Sequence, residues 1–308
     1  MIVEELVKRV ESVSQETNYW FVRTDYGEYF DTYYKNNFIG IGWDEISIEE
    51  LKNTGLKVAV KEKIGKIENL DYDKTSTKGT ITAIYNKLVR FINLKKGDIV
   101  IIPSRKSSRY AFGIIEEDEA YSKFEDENNC KHVKRKKVKW ISIKSVKLLN
   151  PIFQQIKVSR HSISQINDYS EYIDNEINNI YLKDGNAHFV LDITTQKDIN
   201  VETLIELIKN IQVLSKEINT YFNLNENIEE NSIRLNLQSP GNIEFKLPIG
   251  KTLVALSAIL AIACGNNNNV QNDNELTTFA NTHSDTLNRI NNSMIDLEVD
   301  RERINSIK

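Results

Sequence analysis

The sequence predicts an α+β protein: a small β-barrel with flanking helices in front, then a small α+β module, a short apolar helix and a C-terminal helix. Three observations carry this. Strand-like apolar runs at 19–23, 38–42, 99–102 and 111–115 crowd into the front half, separated by turn residues. Behind residue 150, helical periodicity alternates with short strands. The run LVALSAILAIAC at 253–264 is uniformly apolar, yet short of the ~20 residues that a bilayer crossing needs.

In order along the chain, 2–16 reads as a helix with Val3, Leu6, Val7 and Val10 on one face. Strand 19–23 leads into a turn at Gly27, then a short helix at 28–37 and a buried strand at 38–42. Segment 47–74 is polar and mixed, with Ser47 placed as an N-cap. Residues 80–92 form an amphipathic helix with Ile81, Ile84, Leu88 and Ile92 on its stripe. The turn Lys95-Lys96-Gly97-Asp98 launches strand 99–102, and 111–115 follows. An acidic loop, 116–127, precedes a candidate strand at 133–141. Beyond it, 163–182 reads as helix, 188–194 as strand, 201–222 as helix, and 232–237 and 242–247 as strands joined by Ser-Pro-Gly. The Asn-rich stretch 266–274 is a linker by composition. In the tail, Leu287, Ile290, Met294, Leu297 and Ile304 keep heptad-like spacing, interrupted by Arg301. The expected division is 1–150, 151–248, 249–265 and 266–308.

Composition bounds the function classes. The 308 residues are 40% hydrophobic and 27% charged, ordinary values for a folded chain with room for two domains. The net charge of −4 hides an asymmetry: residues 1–150 carry 27 Lys+Arg against 23 Asp+Glu, and the remainder 13 against 21. A basic front and an acidic back point to different partners. The two cysteines, Cys130 and Cys264, form no CxxC or Cys/His cluster, so neither a zinc site nor a disulfide framework is expected, and a reducing cytoplasm fits best. The N-terminus lacks the uninterrupted apolar core of a signal peptide.

No catalytic constellation is legible. The four histidines, His132, His161, His188 and His283, have no Ser, Cys or Asp partner at a diagnostic spacing. Phosphate-loop and dinucleotide fingerprints are absent, and no cofactor is implied. Glu244 and Lys246 form an E-x-K fragment of the metal-dependent nuclease signature, but 232–239 offers no acidic residue to complete it. The chain therefore reads as a binding protein, with a nuclease as the enzyme alternative.

Binding chemistry concentrates in two stretches of the front half. Trp20, Tyr29 and Trp43 offer flat faces for a nucleobase, and Arg23, Arg105 and Arg109 offer bidentate grips for phosphate. Ser104, Ser107 and Ser108 sit in the loop between two apolar strands. Two readings stay open for the tryptophans, stacking platform or core, and two for the loop, phosphate clamp or solvated turn. The run 131–140 (KHVKRKKVKW) is the densest cationic segment. Alternation puts Lys134, Lys136, Val138 and Trp140 on one face and Val133, Arg135, Lys137 and Lys139 on the other. Neither face is cleanly apolar at its start, so the first half is expected to be exposed: either a backbone-binding strand or a charged edge that resists aggregation.

The order W-x-x-R, G-E-Y-F-D, F-I-G-I-G-W-D, helix, K-x-G-D-I-V-I-I-P-S, Y-A-F-G-I-I and R-x-K-V-x-W resembles the PUA-like/EVE-like superfamily over residues 17–150. It is similar in particular to the N-terminal domain attached to Mrr-like restriction endonucleases. The resemblance implies a small barrel that holds a flipped or single-stranded base, often a modified one. Trp20, Arg23, Trp43 and Ser104 would lie near the pocket, and loop 105–109 would hold the flanking backbone. It also implies nucleic acid, DNA ahead of RNA, as partner, in a bacterial restriction or antiviral-defence setting. No nuclease domain is recognisable behind residue 150. The alternative is a membrane-acting effector whose front domain senses a nucleotide and whose 247–264 segment inserts into a bilayer. Homo-oligomers through 253–264 and 287–304 complete the expected partners.

Overall fold

The computed structural model describes residues 2–124, 130–157, 161–236, 240–265 and 274–305. The Asn-rich stretch, apart from Asn274, lies outside them, as do the end of the acidic loop and Ser239 of the Ser-Pro-Gly turn. The protein is mixed α+β, 48% helix and 23% strand, with a curled half-barrel sheet. Contacts divide it into two compact units: 17–147 with 151–170, and 1–16 with 148–150 and 171–308. The dividing line expected at residue 150 is thus replaced by an interleaved one, because helix Ile2–Arg9 belongs with the back of the chain.

The half-barrel unit holds strands in the order Phe38–Ile41, Lys134–Ser145, Arg109–Ile115, Ile99–Pro103, Tyr19–Val22 and Ile163–Gln165, with Tyr121–Ser122 also pairing on the long strand. Only Tyr19–Val22 and Ile99–Pro103 run parallel among these pairs. The sheet curls because Lys134–Ser145 changes partner along its length. Residues 134–137 pair with Phe38–Ile41, and 138–145 pair with Arg109–Ile115 across a register shift at Phe112/Gly113. Helices Phe30–Lys35, Ile48–Lys52, Lys57–Ile67 and Thr75–Ile92 accompany it. Ser47 closes a capping box with Glu50, as its position before Ile48 predicts. Ile64, Ile81, Leu88 and Phe91 join Val100, Ile102 and Val138 in one apolar core.

Three segments depart from the expected elements, the first being 2–16, where the helix ends at Arg9 and Glu11–Ser12 is a strand paired with Tyr181–Leu182. The stretch 163–182 is not one helix: Ile163–Gln165 is a strand on Tyr19–Val22, Ser170–Ile177 a helix, and Ile180–Lys183 a strand. Its isoleucines imitate helical spacing, and sheet pairing overrides that pattern. Segment 47–74 contains the 11-residue helix Lys57–Ile67, whose buried Val60 and Ile64 are too sparse a stripe to stand out in sequence.

The second unit is a five-stranded sheet in the order Glu11–Ser12, Ile180–Lys183, Asn186–Ile193, Gly241–Pro248 and Ser232–Asn236. One face, with Ile180, Phe189, Leu191, Ile243 and Phe245, joins a core built with helices Val201–Tyr221, Lys251–Ala263 and Ser284–Asp296. The apolar helix Lys251–Ala263 is central, with Leu253, Val254, Leu256, Ile259 and Leu260 fully buried. No helix among the described residues is long and apolar enough to cross a membrane. The tail residues Leu287, Ile290, Met294, Leu297 and Ile304 are buried in the same core, so their spacing reflects packing on the unit's own body.

Candidate nucleic-acid interface

The predicted site residues do not gather in one place. Trp20 is a core residue: it is buried, and its Nε1 donates to Asp98 Oδ2 at 2.9 Å. Tyr29 is also buried, stacked on Tyr33 with ring centroids 6.0 Å apart and tilted against His132 at 4.8 Å. Burial pushes its phenol up. Trp43 is half-buried against the core, and its Nε1 donates to Glu68 Oε1 at 2.7 Å. None of the three lines the cleft formed by residues 23–27 and 103–107.

The basic strand is corrected most sharply. Lys134, Arg135 and Lys136 are each at most 1% exposed, whereas exposure of this segment was expected. Lys134 Nζ donates to the carbonyls of Trp43, at 2.7 Å, and Ile46, at 3.1 Å, with Asp44 at 3.6 Å. Lys136 Nζ donates to the carbonyls of Leu94 and Asp118. Arg135 Nε donates to the His132 carbonyl at 2.8 Å, and its guanidinium lies 4.1 Å from the Phe38 ring centroid. Neighbouring strands and loops cover both faces here, and main-chain carbonyl dipoles take the place of water. Burial lowers Lys134 and brings Lys136 down to about 8. Lys137 and Lys139 are the exposed cations of this strand's first half, and Lys137 is paired with Glu117 at 2.7 Å.

Three predicted residues do converge. Arg23, Ser104 and Arg105 line a cleft of about 260 Å³ together with Thr24, Tyr26, Gly27, Pro103, Lys106 and Ser107. One wall is the turn that follows strand Tyr19–Val22. Asp25, Tyr26 and Gly27 all have positive φ (46°, 55° and 94°), and the Thr24 carbonyl accepts from the N–H groups of Gly27 and Tyr29. The other wall is the loop after Ile99–Pro103, where Lys106 and Ser107 are also left-handed, at 58° and 52°. Ser104 closes that loop: its N–H donates to the Arg109 carbonyl, and its Oγ accepts from the Arg109 N–H at 2.8 Å. The walls touch at Gly27, where a Cβ would stand 2.3 Å from Arg105 Cα, so only glycine permits the approach. Thr24 Oγ1 adds a clasp by donating to the Pro103 carbonyl at 2.6 Å.

Tyr26, which the sequence reading passed over, dominates the mouth. It is 96% exposed, although a large aromatic gains nothing by standing in water. Its turn is anchored from below: Asp25 Oδ2 lies 3.2 Å from His132 Nε2, and His132 is packed among Tyr29 and Tyr33. The His132 hydrogen bond holds the Asp25 carboxyl below the usual range. Tyr29 thus supports the mouth from the core instead of lining it. Arg105 and Lys106 have no ion-pair partner among the described residues. Arg23 lines the cleft with its Nη2 donating to the Lys157 carbonyl at 2.7 Å. Arg109 turns aside, 5.5 Å from the Phe30 ring centroid.

Residues 20–167 match the family model described as Domain of unknown function (DUF8426). The match covers just under half of the chain and falls almost wholly within the half-barrel unit, so similarity to that family follows the compact unit that carries the cleft. No curated protein and no solved structure matches the chain.

The second unit holds a separate polar cluster on the sheet face away from its core. His188 Nδ1 lies 2.6 Å from Glu244 Oε1, and Asn175 Nδ2 donates to Glu244 Oε2 at 3.0 Å. Tyr181 stacks on His188 at 4.5 Å and donates to Asn175 Oδ1. Burial pushes the Glu244 carboxyl up, but the His188 and Asn175 hydrogen bonds outweigh it and leave Glu244 below the usual range. His188 therefore has an acidic partner 56 residues away, which no local spacing reveals. Both oxygens of Glu244, the acid of the E-x-K fragment, are engaged by neighbours. Among the described residues, no group of three or more His, Cys, Asp or Glu side chains could hold a metal ion.

Proposed function

We propose that the half-barrel unit binds nucleic acid at the 23–27/103–107 cleft, with a base stacked on Tyr26 and the adjoining phosphate held by Arg105 and Lys106. The observation that carries this is Tyr26 itself: a nearly fully exposed aromatic on a strained left-handed turn, wedged beside a cationic left-handed loop. Strained backbone persists where the surroundings over-determine it, and such positions cluster at ligand clamps. Stacking on an aromatic face is worth ~1–3 kcal/mol per base and tolerates any base. The about 260 Å³ cleft lies below the range of drug-sized pockets, a size suited to one base or one phosphate group.

The likeness of residues 17–150 to the PUA-like/EVE-like superfamily supports the same reading and extends it to a flipped, modified base. A base already modified or unpaired costs least to extrude. On this reading the setting is a bacterial cytoplasm, the partner DNA ahead of RNA, and the biological role restriction or antiviral defence. The mouth is narrower than first expected, since Trp20 and Tyr29 are buried in the core and Trp43 packs half-buried against it.

Equilibrium binding of labelled single-stranded oligonucleotides, with and without a modified base, tests the proposal. Arg105→Ala with Lys106→Ala should weaken binding and flatten its salt dependence by about 0.7, the value for one single-strand phosphate contact. Binding unchanged in affinity and slope would remove the cleft from consideration.

A further inference from the structure

A second cationic surface lies on the helices inserted between strands Phe38–Ile41 and Ile99–Pro103. Residues 57–96 hold ten Lys+Arg against four Asp+Glu, an excess of six positive charges. Three of these lysines are brought together from two helices. Lys57 and Lys61 stand four residues apart on helix Lys57–Ile67, with ammonium groups 5.9 Å and 5.5 Å from the Tyr85 ring centroid. Lys61 Nζ also donates to Thr82 Oγ1 at 3.0 Å. Lys78, four residues before Thr82 on helix Thr75–Ile92, lies 5.3 Å from the Tyr72 ring centroid.

None of the three has an ion-pair partner among the described residues, although Glu62, Glu68, Asp71 and Asp73 lie in the same segment. Like charges at i, i+4 repel, and facing helices bring in the third charge. The mutual repulsion is visible in Lys61, which burial first and then Lys57 and Lys78 hold below the usual lysine range. Tyrosine faces relieve the strain only in part. Between Lys78 and Thr82, Gly79 has open space where a side chain would stand, leaving helix backbone bare at the patch. A repulsive, unpaired cluster over a bare helix surface is the arrangement that an extended polyanion would neutralise.

We infer that Lys57, Lys61 and Lys78 form a second contact for the sugar–phosphate backbone of the nucleic acid whose base occupies the Tyr26 cleft. This rests on the cleft reading but uses none of its residues. The patch would contribute affinity and salt dependence without base preference, since phosphate contacts position and base contacts specify.

The test compares the full-length wild type with Lys57→Gln/Lys61→Gln/Lys78→Gln. The readout is the slope of log affinity against log salt for a labelled single strand, alongside binding of 5′-AMP. The expected result is a slope reduced by about 2, at ~0.7 per phosphate contact for single strands, with 5′-AMP binding unchanged. An unchanged slope overturns the inference, as does failure of the wild type to bind any oligonucleotide. A reduced slope without measurable 5′-AMP binding in either protein keeps the patch and sinks the cleft. An unchanged oligonucleotide slope with lost binding to phosphatidylserine vesicles would assign the patch to a membrane and overturn the inference too. Should the triple variant melt early, the exposed Lys78→Gln alone should lower the slope by about 0.7.

Discussion

Trp20 Nε1 donates to Asp98 Oδ2 at 2.9 Å, and this bond joins the two motifs that looked like halves of a ligand mouth. Asp98 also accepts from the backbone N–H groups of Lys95 at 3.0 Å and Asn18 at 3.2 Å. One buried carboxylate therefore fastens the Lys95–Asp98 turn to the start of the first strand, whose neighbour is the parallel strand Ile99–Pro103. The W-x-x-R and K-x-G-D elements belong together for this structural reason. Asp98→Ala should strand three donors, two of them main-chain, and cost about 2–4 kcal/mol in urea denaturation, with Asp98→Asn milder. A loss below about 0.5 kcal/mol would show that the bond does not fasten the sheet.

Gly27 is the hinge point of the cleft. Gly27→Ala meets both a positive φ of 94° and a Cβ 2.3 Å from Arg105 Cα, so the two walls must separate. Destabilisation of about 1–3 kcal/mol is expected, with oligonucleotide affinity falling further than stability explains. Chemical denaturation and binding titration on the same preparation separate the two effects. Wild-type affinity in the variant would show that wall contact is irrelevant to binding.

Lys136 makes stability depend on pH in an unusual direction. Burial sets its folded value near 8, below the unfolded lysine value of 10.5, so above about pH 8 the unfolded chain binds more protons than the folded one. This contribution to stability is absent below pH 8 and grows as pH rises toward the unfolded value. Tyr33, held well above 10 by burial, acts oppositely once unfolded tyrosines ionise near pH 10. Unfolding free energy should therefore rise from about pH 8 to about pH 10 and fall above it, where the Tyr33 contribution overtakes that of Lys136. Lys136→Met should flatten the rise; a wild-type curve that declines steadily from pH 8 would contradict the assignment.

The legible parts of the fold were those written in local periodicity. Apolar runs located the strands at 19–22, 38–41, 99–103 and 109–115, and the Ile81–Ile92 stripe located the long helix. That helix begins earlier, at Thr75, because Thr-Ser-Thr-Lys-Gly reads as turn chemistry until the core beneath it is formed. What sequence hid was non-local. The carbonyls that receive Lys134 and Lys136 come from 43–46, 94 and 118, and a cationic run looks solvated until those acceptors are in place. At the cleft, Arg23, Ser104 and Arg105 were readable as residue types. Tyr26 was not, because its exposure follows from a left-handed turn that an Asp-Tyr-Gly tripeptide only hints at. The His188–Glu244 pair was hidden for the same reason, its members meeting only through strand pairing.

The most direct measurement of the central claim is a binding titration of one labelled single-stranded oligonucleotide against wild type, Tyr26→Ala and Trp20→Phe at fixed, stated salt. Tyr26→Ala removes an exposed ring and should leave folding intact while weakening binding by ~1–3 kcal/mol, roughly 5- to 150-fold. Trp20→Phe should lower stability through the lost Asp98 bond yet bind with wild-type affinity when folded. Equal affinity for wild type and Tyr26→Ala, or a binding loss confined to Trp20→Phe, would contradict the placement of the base on Tyr26.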